Sequence, residues 1–277
     1  MAGNKAAIKS RIKSINTTKK ITGAMELIST VKLQKYRILS EKIITYENAI
    51  EETIKQIASS ERDLDTTYLK RKDGKKLFFV FCSDMGLCGG YNINLLKLLF
   101  ENIKENDELI IIGTKIYKQL KDRGYHIINE MTPSDKIDYF DLKKYSNMAI
   151  QMYKDKTIDA INVVYTNFIN NVSFKSDIKK VLPLEIIKEE KYYPPILFEP
   201  SPNEVFNDMI PIFVENDIYR LFIESKTSEH GSRRYAMENA TNNADELNEE
   251  LLLAYNQARQ ASITSEITEI VAGADAL

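Results

Sequence analysis

The residues best equipped for chemistry lie in one short stretch, Ser83-Asp84-Met85-Gly86-Leu87-Cys88-Gly89-Gly90, directly after the apolar run Lys76–Cys82. A glycine-rich turn between a strand and a helix can cradle a phosphate on its backbone N–H groups. A cysteine at a helix start can be held as a nucleophilic thiolate. The spacing fits neither chemistry. Gly86, Gly89 and Gly90 form GxxGG rather than GxGxxG, and no GK[ST] occurs anywhere in the chain. Cys88 has no credible base, since His126 and His230 are the only histidines, and two Cys with two scattered His lack the close ligand pairs of a zinc site. No catalytic residue, cofactor site or metal site is expected, and the turn is expected to be turn geometry.

The elements that position this turn follow from hydrophobic periodicity. Lys76–Cys82 predicts a strand and Ile93–Ile103 a helix; Leu109–Gly113 predicts a second strand feeding a helix over Thr114–Arg123. Tyr145–Lys154 predicts another helix, Ala160–Phe168 a third strand, and Ile178–Ile187 an extended segment. Strands alternating with helices argue for a mostly parallel sheet covered on both faces, hence a Rossmann-like α/β domain.

The ends of the chain are different in kind. All seven prolines lie between Pro133 and Pro211, and residues 24–73 and 232–272 contain neither Gly nor Pro. From Tyr36 the apolar positions run Tyr36, Leu39, Ile43, Tyr46, Ile50, Ile54 and Ile57, a helical stripe, with Ile8, Ile12, Ile15, Ile21, Met25, Ile28 and Val31 continuing it upstream. Near the other end Ala240, Ala244, Leu247, Leu251, Ala254, Ala258 and Ala261 form a heptad seam of mostly small side chains. The expected divisions are an N-terminal helix over 1–60, an α/β domain over 74–190, a Pro-rich segment over 191–210 and a C-terminal helix over 211–277. A helix of about 50 residues is about 75 Å long, so both terminal helices are expected to project beyond a globule of this size.

Charge suggests how the ends pair. Residues 1–40 carry nine bases against Glu26 alone, a balance of +8, whereas residues 229–277 carry three bases against nine acids, a balance of −6. Opposite charge favours mutual association, although exposed ion pairs contribute only about 0–1 kcal/mol each. The predicted fold class is therefore α/β, a long antiparallel coiled coil of N- and C-terminal helices plus the central Rossmann-like domain. The basic stretch is either a solvated or protein-contacting helix face or a nucleic-acid surface. The first is preferred, because the net charge of the chain is −2 and no aromatic interleaves the bases before Tyr36. No apolar run approaches the roughly 20 residues that span a bilayer, no secretory signal is expected, and two cysteines in one loop argue for a reducing compartment.

Three blocks carry a resemblance to a known family. They are IKSRIKSINTTKKITGAMELISTVKLQKYR (residues 8–37), SDMGLCGGYN (residues 83–92), and SEHGSRRYAMENATNNADEL continuing through AYNQARQASITSEITEIVAGADAL, with FEPSP (residues 198–202) and ESKTSE (residues 224–229) leading into it. Over nearly its full length the chain resembles the gamma subunits of bacterial F-type ATP synthases. The resemblance implies a non-catalytic central-stalk rotor that couples ion flow mechanically to ATP synthesis or hydrolysis at the beta subunits. Implied partners are three alpha and three beta subunits, the epsilon subunit and the c ring. The implied location is the cytoplasmic face of the cell membrane, peripherally, with the membrane met only through the c ring.

Carried over to matching positions, the resemblance implies ring contacts at Lys20 and Met25 in the KITxAM block and at Arg233, Arg259, Gln260 and Thr264 in the C-terminal blocks. Ile267, Ile270, Val271 and Leu277 are implied as an apolar tip suited to a hydrophobic sleeve, the alternative for Ile267 and Ile270 being ordinary helix packing. Ile196 and Phe198 match the foot near the c ring. Two departures stand out: His230-Gly231 and Arg234-Tyr235 replace smaller or apolar residues, and Gly231 is expected to weaken its helix by up to about 1 kcal/mol. Two other classes remain as alternatives, an α/β enzyme using the Ser83–Asn92 turn and a coiled-coil scaffold.

Overall fold

The structure, a computed structural model, describes residues 2–60, 67–69, 74–184 and 197–275. Its elements in chain order are α1 (Ala2–Ser60), β1 (Lys76–Phe81), α2 (Tyr91–Asn102), β2 (Glu108–Ile112), α3 (Tyr117–Asp122), β3 (His126–Ile127), α4 (Tyr139–Lys154), β4 (Ala160–Phe168), β5 (Phe174–Leu182) and α5 (Pro202–Asp275). The chain divides into two compact units, Met1–Thr30 with Arg233–Leu277, and Val31–Ser232.

In the Val31–Ser232 unit, five strands form one sheet in the order β3-β2-β1-β4-β5. β1 pairs parallel with β2 and β4, β2 pairs parallel with β3, and β5 returns antiparallel along β4. The parallel strands are apolar almost throughout because both faces are covered. Phe78, Val80, Leu109 and Ile111 point to one face and pack with Leu95, Leu99 and Leu120 of α2 and α3. Alternate residues Leu77, Phe79, Phe81, Ile110 and Ile112 point to the other, where they meet Leu142, Ile150 and Tyr153 of α4 and large side chains of α1 and α5. From α1 these are Ile50, Ile54 and Ile57; from α5 they are Phe206, Ile210, Val214, Ile218, Leu221 and Phe222.

Two helices start well before the expected residue, each because of a cap; α3 is shorter than the expected 114–123, and β5 starts four residues before the expected 178–187, of which 185–187 lie outside the described residues. α4 begins at Tyr139 rather than Tyr145, since the Asp138 carboxylate accepts the Asp141 N–H at 2.9 Å and closes the first turn. α5 begins at Pro202 rather than at 211. The Ser201 hydroxyl accepts the Glu204 N–H at 3.2 Å and donates to the Glu204 carboxylate at 3.1 Å, with Pro202 in the first-turn position that needs no N–H donor. Pro211 lies inside α5; the 4-4-4-3 row from Phe206 to Leu221, all buried, carries the helix through it.

The buried row of α1 also differs from the apolar pattern. Thr22, Ser29 and Leu33 are buried, whereas Ile21, Ile28, Val31 and Tyr46 are exposed and Glu47 takes the buried place beside Tyr46. Within the Met1–Thr30 and Arg233–Leu277 unit, α1 and α5 run antiparallel. Lys19 is ion-paired with Asp245, and the hydroxyls of Thr22 and Thr241 meet at 2.8 Å. Ala244 is buried on this seam while Leu247 is exposed and Ala261 faces out, so the expected alanine row holds only in part. Small side chains at Thr22, Ser29, Thr241 and Ala244 suit a close contact that needs little apolar surface.

Gly113, directly after β2, is required by its backbone. Its φ is +115°, and a Cβ there would stand 2.2 Å from the Cys82 carbonyl oxygen, a backbone atom that cannot move aside. Gly231 in α5 is also explained. A Cβ would meet Phe174 at 2.7 Å and Phe168 at 3.1 Å, so the glycine allows the close approach of α5 to the β4–β5 hairpin that its poor helix propensity offsets. Gly113→Ala is expected to destabilise the full chain by about 3 kcal/mol or more, the sum of strained backbone and clash. Denaturant unfolding checks this, and a midpoint equal to wild type would refute the close approach.

Candidate functional site

The carboxyl ends of β1 and β4 mark the point where the sheet order reverses, the crevice in which open α/β sheets place a ligand. In this chain α5 fills it. The Ser225 hydroxyl accepts the Thr166 N–H at 3.3 Å, donates to the Phe81 carbonyl at 3.4 Å and pairs with the Tyr91 hydroxyl at 2.8 Å. Ser228 donates to the Thr166 carbonyl at 2.7 Å, and Ser232 donates to the Cys88 carbonyl in the glycine-rich turn at 2.7 Å. Residues 225, 228 and 232 recur at helical spacing, so one face of α5 satisfies the backbone groups that the strand ends leave open.

The turn itself is an organiser of loops. The Asp84 carboxylate accepts the N–H groups of Thr114 (3.1 Å), Ser134 (2.9 Å) and Asp135 (2.9 Å) and the Ser134 hydroxyl (3.0 Å). Asn129 extends the β2 edge by accepting the Ile111 N–H and donating to the Ile111 carbonyl, both at 2.9 Å, which fixes the loop carrying Ser134 and Asp135. Into this frame α5 inserts Lys226, only 2% exposed. Its ammonium donates to Ser134 (2.9 Å), Asp135 (2.7 Å) and Glu229 (2.7 Å), which uses all three of its protons.

α1 closes the knot from the other side. Lys32 donates to Asp135 at 2.7 Å, and the Tyr36 ring stacks on His230 with centroids 5.5 Å apart and planes 8° apart. The Lys226 ammonium stands 6.0 Å from the centre of the same Tyr36 ring. The electrostatics are mutual. Burial alone would lower the Lys226 pKa, but the charges of Glu229 and Asp135 outweigh it and hold the amine above its usual value. Burial would likewise raise Asp135, yet its bonds to Lys226 and Lys32 hold that carboxyl below the usual range. Asp135 therefore contributes stability at neutral pH that is lost as the solution is acidified below the ordinary carboxylate range, and Lys226 contributes stability that is lost only above its ordinary alkaline range.

The Cys82 thiol is not poised for attack. Cys82 is buried in the apolar layer between the sheet and α2, and burial pushes its pKa up to about 12, away from a reactive thiolate. Cys88 is buried as well, with the Asn92 side-chain amide 3.3 Å from its sulfur.

Most of the residues expected to meet partners belong to the Met1–Thr30 and Arg233–Leu277 unit. Lys20, Arg259 and Gln260 are exposed and Met25 is half-buried. The Thr264 hydroxyl donates to the Gln260 carbonyl one turn back at 3.0 Å. Ile267, Ile270 and Val271 are 57%, 72% and 54% exposed, in the turns of α5 that the register of Lys19 with Asp245 places past the start of α1. Arg233 is only 7% exposed, so most of its side chain is engaged inside the chain. Phe198 is half-buried against the larger core cluster. Ile196 and Leu277 lie outside the described residues.

Periodicity placed Tyr36 on a helical stripe but gave no sign of its stacking on His230 or of the grouping of Lys226, Glu229, Asp84 and Asp135. The only local signal was Lys226 with Glu229 at i, i+3 inside ESKTSE, and Asp135 is 91 residues away from Lys226.

Comparison with known proteins agrees with the blocks named above. The family described as ATP synthase matches residues 4–277. The ATP synthase gamma chain of Alkaliphilus metalliredigens is 40% identical over 281 residues, covering 98% of this chain and 97% of that one. The sodium-ion-specific ATP synthase gamma chain of Acetobacterium woodii is 37% identical over the whole of both chains. Among solved structures, a chain in the Euglena gracilis mitochondrial ATP synthase assembly of OSCP, F1 and c ring matches with TM-score 0.63 at 19% identity, covering 100% of this chain and 95% of that one.

Removing Lys226 leaves Asp135 and Glu229 without their shared cation, so Lys226→Met is expected to cost about 3–5 kcal/mol. Lys32→Met, which removes an exposed partner from the same Asp135, is expected to cost less than about 1 kcal/mol. Unfolding midpoints of the two variants decide the matter; equal losses would mean that the ammonium is not the centre of the knot.

Proposed function

Because the chain belongs to the ATP synthase gamma chain family, we propose that it is the non-catalytic rotor of its complex. In this reading the paired ends of α1 and α5 form a shaft inside a ring of three alpha and three beta subunits. The α/β domain, with Phe198 and Ile196 at its foot, stands on the c ring beside the epsilon subunit. ATP is made or hydrolysed at the beta subunits, and the complex sits at the cytoplasmic face of the cell membrane. No helix among the described residues is long and apolar enough to cross a membrane, which suits attachment through other subunits.

The observation that carries this reading is an identity of 40% and 37% to gamma chains over alignments that cover 98% and 100% of this chain. The geometry supports it in a second way. The crevice in which an α/β enzyme would hold a nucleotide is occupied by α5 itself, so the sheet works as a socket for the helices. A turning shaft changes which surface each catalytic site meets, and it shifts each site's conformational equilibrium by the difference in contacts. Exposed apolar side chains such as Ile267 and Ile270 would supply contact without directional bonds to break at each step.

Arg259 is the one base in the last 43 residues and is exposed. It is the available donor for a carboxylate or backbone carbonyl of the ring. Charge-assisted bonds of that type contribute about 1.5–3 kcal/mol, and their loss at some rotor angles alters the relative energies of those angles. Arg259→Ala is expected to lower multi-site ATP hydrolysis of complexes of verified stoichiometry by about tenfold. Single-site nucleotide binding at the beta subunits should stay unchanged. A wild-type rate and assembly yield would show Arg259 to be merely solvated, and nucleotide turnover by this chain alone would mark it as an enzyme.

A further inference from the structure

A second buried charge cluster, within the Val31–Ser232 unit, is not explained by clamping the helices to the sheet. Arg220 of α5 holds three carboxylates on one guanidinium. Its Nε meets Glu47 of α1, its Nη2 donates to Asp217 at 2.9 Å, and its Nη1 donates to Glu224 at 2.9 Å. Lys179 of β5 donates to the same Asp217 oxygen, Oδ1, at 2.8 Å. The Asp217 side chain is wholly buried, and its second oxygen, Oδ2, has no hydrogen-bond partner. The Glu47 carboxyl, also buried, shares this guanidinium with Asp217, Glu47 on Nε and Asp217 on Nη2.

Two buried carboxylates held on neighbouring nitrogens of one guanidinium repel each other unless one of them carries a proton, and a proton shared with Asp217 also removes the cost of its orphaned acceptor. The charge count leads to the same place. Glu47, Asp217 and Glu224 supply three negative charges against two positive ones from Arg220 and Lys179, so a single proton makes the cluster neutral. The other titratable groups facing it are Tyr165 of β4 and Asp177 of β5. Burial together with the Glu224 charge pushes the Tyr165 hydroxyl up to about 12, so its proton stays in place across neutral pH.

We propose that Glu47 and Asp217 form a proton-binding site that locks α1 to α5. On the acid side the proton rests on Glu47 and is donated to Asp217 Oδ2. On the alkaline side it passes to water, and two negative charges are left facing each other across the helix pair. Burial and the Asp217 charge push the Glu47 pKa up to about 7, which places this exchange in the neutral range. The sign follows from a folded-state pKa above the unfolded one. The lock is complete below the ordinary glutamate range and is lost as pH rises through about 7.

The test uses the full chain in its assembled complex. Infrared difference spectra between acid and alkaline solution should show one protonated carboxyl that disappears with a midpoint near 7, absent in both Glu47→Gln and Asp217→Asn. The side-chain amide that Glu47→Gln introduces keeps a donor for Oδ2 and carries no charge. Thermal unfolding of that variant should therefore be nearly flat across neutral pH, whereas the wild type loses stability on alkalinisation. Should Glu47→Gln fail to assemble, Asp217→Asn carries the spectroscopic test alone. A wild-type complex with no such carboxyl on the acid side, or one whose signal persists in either variant, overturns the proposal.

Discussion

The arrangement of the Val31–Ser232 unit depends on keeping one buried ammonium charged. Lys226 can stay ionised away from water only if every N–H direction ends on an acceptor, and the three acceptors come from different parts of the chain: the loop carrying Ser134 and Asp135, and the next turn of α5 at Glu229. The loop is in turn held by Asp84 at the end of β1. Tyr36 and Lys32 bring α1 to the same point. An apolar plug of equal volume could be as stable, but it would tolerate sliding of one helix by a turn. A lysine whose partners sit at three fixed points does not, and so the knot specifies register more than it adds stability.

The socket at the strand ends follows from backbone accounting. The pairing of β1 with β4 ends at Val80 and Val164, so the Phe81 carbonyl and the Thr166 backbone groups find no partner between these two strands. Nucleotide-binding sheets fill such a crevice with ligand and a helix N-terminus. Here the hydroxyls of Ser225 and Ser228 do it from the middle of a helix. Serine is a poor mid-helix residue in isolation, so its presence at successive turns of α5 is explained by the sheet and not by the helix. The GxxGG turn is accounted for in the same terms: Gly89 has a φ of +56°, and the turn offers the Cys88 carbonyl to Ser232.

How much of this was visible in the sequence depended on the range of the interaction. Apolar runs located β1, β2 and β4, and the absence of Gly and Pro located the bodies of α1 and α5. The starts of α4 and α5 were missed because Asp138 and Ser201 cap them with single hydrogen bonds that periodicity does not weigh. Hydrophobic stripes failed where the seam is small or polar. Thr22, Ser29 and Thr241 face inward while Ile21, Ile28 and Leu247 face out, so ranking by apolarity turned those stretches around. β3, two residues long, has no pattern to find. Glu47, Asp217 and Arg220 carry no pattern that singles them out, since nothing in a single sequence places α1 against α5 at that depth.

The inverted pattern near the chain ends bears on the proposed role. A helix pair built only for stability would bury its isoleucines and expose its threonines. In the Met1–Thr30 and Arg233–Leu277 unit the hydroxyls of Thr22 and Thr241 meet inside, while Ile21, Leu27 and Ile28 are 55%, 67% and 58% exposed. That outward surface carries a solvation cost unless a partner covers it. Apolar contact is non-directional, so a partner's energy over such a surface varies gently as the surface turns, whereas an ion pair would add a deep minimum at one angle. A shaft presented in succession to several identical neighbours is served by the first kind of surface with a few of the second kind to distinguish the angles. α1 and α5 carry that combination, isoleucines and leucines facing out with charged side chains such as Lys20 and Arg259 among them.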